Sequence, residues 1–524
     1  MTNVKKKGSI GFRGILLILV TVALLVFFQL LFCTPFNIHS GGFVLELTIF
    51  LLSVFLCTVG NKKIFTGKMT LTKQLIFPAV VLVLFLAATL LGSPYTGGLG
   101  NYKNQSKITE IDFATVPEFD KTQVQLVDKD TAAQLGDRVF GTLGSDEVSQ
   151  YEMGSDWTQI SVDGDLSRVT PIDFGSLFKY FVTKTTPGYV LVDCNSGEAK
   201  LVRSEGMKYM KSAYFFHDLD RHLFFHDPFA MIGSAKFELD DEGKPYWIAP
   251  VYKVTWVDKT RDVKGIYIVD PVDGACTYYD KESAPEWVDN IYPVYVIYDQ
   301  FSQSKRYENG LFNFSKKGIV EFTDDYAYVQ FNDHVHIYTG VTSVGKDESN
   351  VGFAYVDLRD GSIDYVRRAG AEEYSARSSA EGAVQQYHYT AIFPSMVNVK
   401  GIPTYFMGLV DGANLIKSYA FVSYENYQNV ATGTSVEEAY RNYLKLYNED
   451  GSISGKEQAE KSFVVAEVRS IVQNGNTIIL LLSEDNTIYW YDMSDGDLAA
   501  SFIAQGDTVK VMADEDGRIA SFIR

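Results

Sequence analysis

Three apolar runs near the N-terminus constrain this chain more than any other feature: residues 15–33, 43–59 and 75–91. Each is about 17–19 residues long, enough to cross roughly 30 Å of hydrocarbon as a helix rising 1.5 Å per residue. They predict three N-terminal transmembrane helices, with a lipid bilayer as partner through residues 15–91. The first 13 residues are basic, and no small-residue cleavage motif follows Cys33, so the first run reads as an uncleaved helix rather than a signal peptide. The connector 34–42 has no Lys or Arg, whereas 60–73 has four Lys. On the positive-inside rule the N-terminus then lies inside, and residues 93–524 lie on the outer side of a multi-pass protein.

Charge sharpens the division. Residues 1–92 hold eight Lys or Arg and one acid, Glu46, a net +7, so of the formal −18 the remaining residues carry −25. A domain this acidic repels phosphate backbones, which argues against nucleic acid as a partner. The 33 Tyr and 35 Phe suit half-buried strands. Cys33 and Cys57 fall in apolar runs, and Cys194 and Cys276 in the polar part; without a C-x-x-C, neither a zinc ribbon nor a thioredoxin-type site is indicated.

Beyond the Gly-rich stretch 92–104, one unit recurs. Residues 188–193 (GYVLVD), 265–270 (GIYIVD) and 352–357 (GFAYVD) each lead through an Asp into a turn closed by Gly197, Gly274 or Gly361, followed by a second strand. Glycine supplies positive φ, and the Asp carboxylate caps the turn. Residues 488–492 (IYWYD), with Asp495-Gly496, form a looser fourth copy. Helices are signalled at 130–135 and 173–181, and by capping boxes at Ser378…Glu381 and Ser435…Glu438. The polar stretch 448–461 reads as a linker, and five or six short strands follow it, the pattern of a small OB- or SH3-like β-barrel. The expected organisation is a membrane anchor over 1–92, an α+β, strand-rich domain with repeated hairpins over 93–447, a linker over 448–461, and the barrel over 462–524.

The strand–Asp–turn–Gly–strand hairpin, found with short amphipathic helices, resembles the PepSY module of secreted and membrane-bound bacterial proteins. Arg168-Val169-Thr170-Pro171, residues 338–344 (YTGVTSV), 347–353 (DESNVGF) and Pro403-Thr404-Tyr405-Phe406 are similar to a group of large membrane-anchored proteins of Gram-positive bacteria. That resemblance implies a bacterial cytoplasmic membrane location and an extracytoplasmic domain, without an activity.

Chemistry-bearing residues concentrate in 217–227 (HDLDRHLFFHD). His222 and His226, four apart, share a helical face and suit a metal; His217 fits that face less well. These three are the candidate metal ligands, against the simpler reading of a polar helix face. His334 and His336 alternate on a strand and point the same way. Ser302…Lys305 and Ser343…Lys346 match S-x-x-K without the companion motifs, and no G-x-S-x-G or H-E-x-x-H occurs. No catalytic residue or cofactor is indicated. The expected function is a non-enzymatic binding or scaffold component of the cell envelope, with another envelope protein or a cell-wall polymer as partner. The alternatives are a metal-dependent hydrolase of wall material and a chaperone or inhibitor of a secreted enzyme.

Overall fold

The computed structural model describes residues 12–60, 106–120, 125–447 and 459–523, apart from 163, 255–260, 311, 332–333, 345–348, 474–475, 494–497 and 514–516, together with 76, 80, 83, 84 and 87. The chain divides into two units, Met1–Tyr440 and Arg441–Arg524.

At the start, α1 (Phe12–Phe32) and α2 (Gly41–Gly60) pack side by side as a helical hairpin. Gln29, the polar residue inside the first run, closes α1: its Nε2 donates to Thr34 O at 2.7 Å and its Oε1 accepts from Thr34 N at 3.0 Å. Leu19, Leu24, Phe27, Leu30 and Leu45 are exposed along the hairpin. The expectation of three membrane-spanning helices is corrected: among the described residues no helix is long and apolar enough to cross a membrane. The third run, 75–91, lies almost wholly outside the described residues. The multi-pass topology and the placement of residues 93–524 outside a bacterial membrane rested on those crossings and are withdrawn with them.

The rest of the first unit is strand-rich, as its β-branched and aromatic content demands. The segment β1 (Lys107–Glu110) comes first. The first sheet contains β2 (Tyr151–Met153), β3 (Thr158–Val162), β4 (Asp165–Phe174), β5 (Thr186–Asp193) and β6 (Ala199–Met207). The second contains β7 (Met231–Ile232), β8 (Lys236–Leu239), β9 (Pro245–Val254), β10 (Arg261–Val269) and β11 (Cys276–Asp280). The third contains β12 (Val320–Phe322), β13 (Ala327–Phe331), β14 (His334–Ser343), β15 (Ser349–Asp357), β16 (Ser362–Val366) and the short β17 (Gly370–Ala371). The fourth contains β18 (Thr390–Ala391), β19 (Ser395–Val399), β20 (Ile402–Val410), β21 (Ile416–Ser423) and β22 (Val430–Gly433).

These sheets share one topology. In each, a short strand pairs with the end of a long strand, and the next strand pairs with its beginning: β2 and β3 on β4, β7 and β8 on β9, β12 and β13 on β14, β18 and β19 on β20. The long strand then continues the ladder through two further antiparallel strands. Helices cover the faces: Lys129–Phe140 lies on β5 and β6, Val294–Glu308 on β12 and β10, and Glu373–Ala383 on β20 to β22. One core joins the first three sheets through Val190, Val192, Ile266, Ile268, Val335 and Ile337, so these units are not separate domains.

The three recurrent hairpins are β5–β6, β10–β11 and β15–β16. Asp193, Asp270 and Asp357 each accept from the backbone N–H two residues on, at 2.6–2.7 Å. Gly197, Gly274 and Gly361 have φ of +70°, +80° and +74°. The looser copy does not belong with them. Its strand, 488–492, lies in the second unit, and residues 494–497 of its turn fall outside the described residues. The fourth sheet of this topology is instead β18–β22, where Asp411 accepts from Ala413 N and Leu415 N in the β20–β21 turn.

In the second unit β23 (Ala459–Gln473), β24 (Asn476–Ser483), β25 (Ile488–Asp492), β26 (Thr508–Ala513) and β27 (Ile519–Phe522) form one sheet in the order β25-β24-β23-β26-β27. The long β23 pairs with β26 along its first part and with β24 along its second, shifting register between Val465 and Glu467. The sheet curls into a half-barrel, and its outer parts meet at a single parallel bridge, Trp490 to Arg518.

Candidate functional site

The His-rich segment lies between the first two sheets. Asp218 caps the helix Leu219–His226 by accepting from Arg221 N at 2.9 Å, and Leu219, Leu223 and Phe224 bury its inner face. The histidines go to different places. His217 stands in a 3-10 turn before the helix, and its Nδ1 shares a 2.9 Å hydrogen bond with the Tyr180 hydroxyl. Burial lowers the pKa of His217, helped by Lys208 and His222. His222 Nε2 reaches Gly274 O at 2.7 Å, with Cys276 Sγ 3.4 Å away. His226 meets the Tyr267 ring edge-on at 5.4 Å. The Tyr209 ring lies against both His217 and His222. Among the described residues no group of three His, Cys, Asp or Glu is placed to hold a metal ion. Cys194 and Cys276 are free thiols, and burial pushes Cys276 up to about 11. On β14, His334 and His336 both approach Asp357 Oδ2, at 3.5 and 3.6 Å.

Around this segment the surface is apolar and aromatic. The helix Leu177–Thr183 presents Phe178, Phe181 and Val182, and Phe178 is 81% exposed. Phe215, Phe216, Phe225 and Phe229 are exposed nearby, Phe216 at 68%. Ring contacts connect much of the patch: Phe181 to Phe215 at 5.8 Å, Phe216 to Phe225 at 5.8 Å, and Phe225 to Phe224 at 5.4 Å. Phe36, in the connector of the helical hairpin, extends it to Phe224 and Phe229 at 5.8 and 6.2 Å. The connector is tied there by Phe36 N donating to Pro228 O at 2.7 Å and Asn37 Nδ2 donating to Phe229 O at 3.0 Å. Phe215 holds φ at +58°, a strained conformation for a bulky residue. The doublets Phe215-Phe216 and Phe224-Phe225 are visible in sequence, but that Phe215, Phe216 and Phe225 face water while Phe224 is buried follows only from the fold.

A second feature has no sequence signature. Glu238 on β8 and Asp289 in the segment before the helix Val294–Glu308 are both buried. Glu238 accepts from Asp289 N at 2.9 Å and Asn290 N at 3.0 Å, and Asp289 accepts from Ser161 N at 2.6 Å. The Arg359 guanidinium donates to the carbonyls of Ala284, Pro285, Glu286 and Val288. This polar junction ties together the first three sheets. Burial pushes Glu238 up to about 7 against the opposing pull of its backbone donors and Arg359. Burial and the Glu238 charge raise Asp289 as well. A carboxyl raised in the folded state contributes stability that is complete below its unfolded pKa and is lost as pH rises through the folded one. Unfolding free energy is therefore expected to fall as pH rises from the ordinary carboxylate range toward neutrality, on account of the Glu238–Asp289 pair. Denaturant titrations across this range check it, and Glu238→Gln should flatten the dependence.

No protein-family profile matches the chain, and no curated protein matches it.

Proposed function

We propose that this chain is a non-enzymatic binding component, and that the aromatic surface around Phe178, Phe181, Phe215, Phe216 and Phe225 docks another protein. The observation that carries the reading is that surface: contiguous large apolar side chains held in water, one of them on strained backbone. Exposed patches of this kind mark interaction sites, because covering them gains apolar burial at about 25 cal/mol per Å². The PepSY-like hairpins supply a rigid frame for it. A metal-dependent hydrolase would need His217, His222 and His226 to converge, whereas the first two are engaged with Tyr180 and Gly274 and the third with the Tyr267 ring.

The double substitution Phe178→Asp, Phe216→Asp tests this. Both side chains are mostly exposed, so stability should change by only about 0.5 kcal/mol. Crosslinking in the source cells followed by affinity purification should recover a defined partner with the parent chain and at least tenfold less with the variant. Equal recovery would remove the patch from the binding role.

A further inference from the structure

Unlike the first two sheets, the third has its last strand covered. Strand β1 lies parallel to β16 in the register Lys107↔Ser362, Ile108↔Ile363, Thr109↔Asp364, Glu110↔Tyr365. The ladder ends with Ile111 N donating to Tyr365 O at 3.0 Å. The corresponding strands are β6 in the first sheet and β11 in the second. Among the described residues neither has a neighbour on its outer side.

The match between β16 and β11 is close. Tyr365 and Tyr278 each stand four residues after the positive-φ glycine of the preceding turn, Gly361 or Gly274. Alternation along the antiparallel ladder turns the backbone groups of Tyr365 outward, where Ile111 uses them, and turns those of Tyr278 outward in the same way. A cation covers each ring: Arg367 over Tyr365 at 5.9 Å and Lys264 over Tyr278 at 5.5 Å. On β16 the added strand answers that cation with an acid, Glu110, whose Oε1 accepts from Arg367 Nε at 3.2 Å. Ile108, two residues earlier, faces Ile363; Cys276 is its counterpart on β11. Strand β6 offers less. It has Leu201 at the tyrosine position, and its exposed Lys200 and Arg203 are engaged with Glu198 and Glu147. Edge charges of this kind discourage strand addition.

We infer that β11 is a binding edge for an extended acidic peptide from another protein. The peptide adds as a parallel strand, with an apolar residue opposite Cys276 and a Glu or Asp opposite Tyr278. Main-chain hydrogen bonds supply the attachment, and Lys264 selects the acid. The inference rests on the binding reading above but uses a different surface, so the Phe178→Asp, Phe216→Asp variant should bind the peptide normally, and failure of one reading leaves the other standing.

The test uses the full chain and the synthetic peptide SKITEID, which carries the β1 pattern. Fluorescence anisotropy should show saturable binding, with hydrogen-exchange protection of the Cys276 and Tyr278 amides. Tyr278→Pro removes an outward-facing N–H, which an edge strand tolerates, together with the ring beneath Lys264, and should weaken binding at least tenfold. Lys264→Glu should do the same, and the swapped peptide SKITKID should restore binding to that variant. Absence of binding, protection confined to residues 362–366, or undiminished binding by both variants would overturn the inference.

Discussion

Gly274→Val is expected to destabilise the first unit by about 3–5 kcal/mol, seen as a lower melting temperature. Two effects add. Gly274 holds φ at +80°, a conformation that strains a β-branched residue by about 1–3 kcal/mol. A Cβ there would also lie 2.5 Å from the Tyr209 ring. Tyr209 cannot easily withdraw: its ring lies against His217 and His222, and its carbonyl accepts from Trp247 Nε1 at 3.0 Å. Overpacking of this kind adds about 1–3 kcal/mol. Gly197→Val separates the effects, because at φ +70° the nearest atom is Leu135 Cδ1 at 3.8 Å, leaving strain alone. The smaller loss is expected there. Asp270→Asn should be milder, since an amide oxygen still accepts from Val272 N, although the 2.7 Å pair with Lys244 is lost. Burial is the largest single influence on Asp270 and opposes its ionisation, but Lys244 and the backbone donors of the turn together outweigh it and hold the carboxyl below its usual range. That contribution is present above the unfolded pKa and disappears as pH falls through the folded one.

Arg359→Ala is expected to cost about 3 kcal/mol, because it removes a half-buried guanidinium that serves a cluster of loop carbonyls. Four carbonyls between Ala284 and Val288 lose their donor. Glu238 and Asp289 lose the cation that favours their ionised forms. Arg359→Lys should recover little, because one ammonium cannot reproduce the planar fork. The pH dependence gives an independent readout. Without the guanidinium both carboxyls rise further, so the fall in stability should extend to higher pH than in the parent chain. An unchanged pH profile would show that Arg359 acts on the loop alone.

Local chemistry was legible in the amino-acid sequence. Asp193, Asp270 and Asp357 announced their turns because an Asp that accepts from the backbone two residues on needs only its own neighbours. Ser435…Glu438 announced a helix start for the same reason, and Ser435 Oγ does accept from Glu438 N at 3.1 Å. Ser378…Glu381 was a false start. The helix begins at Glu373, which tertiary contacts bury beneath Tyr338 at 2.6 Å, and Glu381 instead accepts from Ala391 N. The apolar runs at the N-terminus gave composition and length, but no described helix among them is long and apolar enough to cross a membrane.

Whatever depended on distant residues was decided by the tertiary structure. The His222–His226 spacing correctly implied a shared helical face, yet their neighbours, Gly274 with Cys276 and the Tyr267 ring, come from another part of the chain. Glu238 and Asp289 meet across 51 positions, and no local pattern encodes that meeting. The addition of β1 to β16 joins residues about 255 positions apart, as Lys107 to Ser362 shows. A periodicity identifies a strand, because side chains alternate within it. It cannot identify the neighbouring strand, because backbone hydrogen bonds are the same for every residue, and only the assembled sheet determines which edge is covered and which is left open.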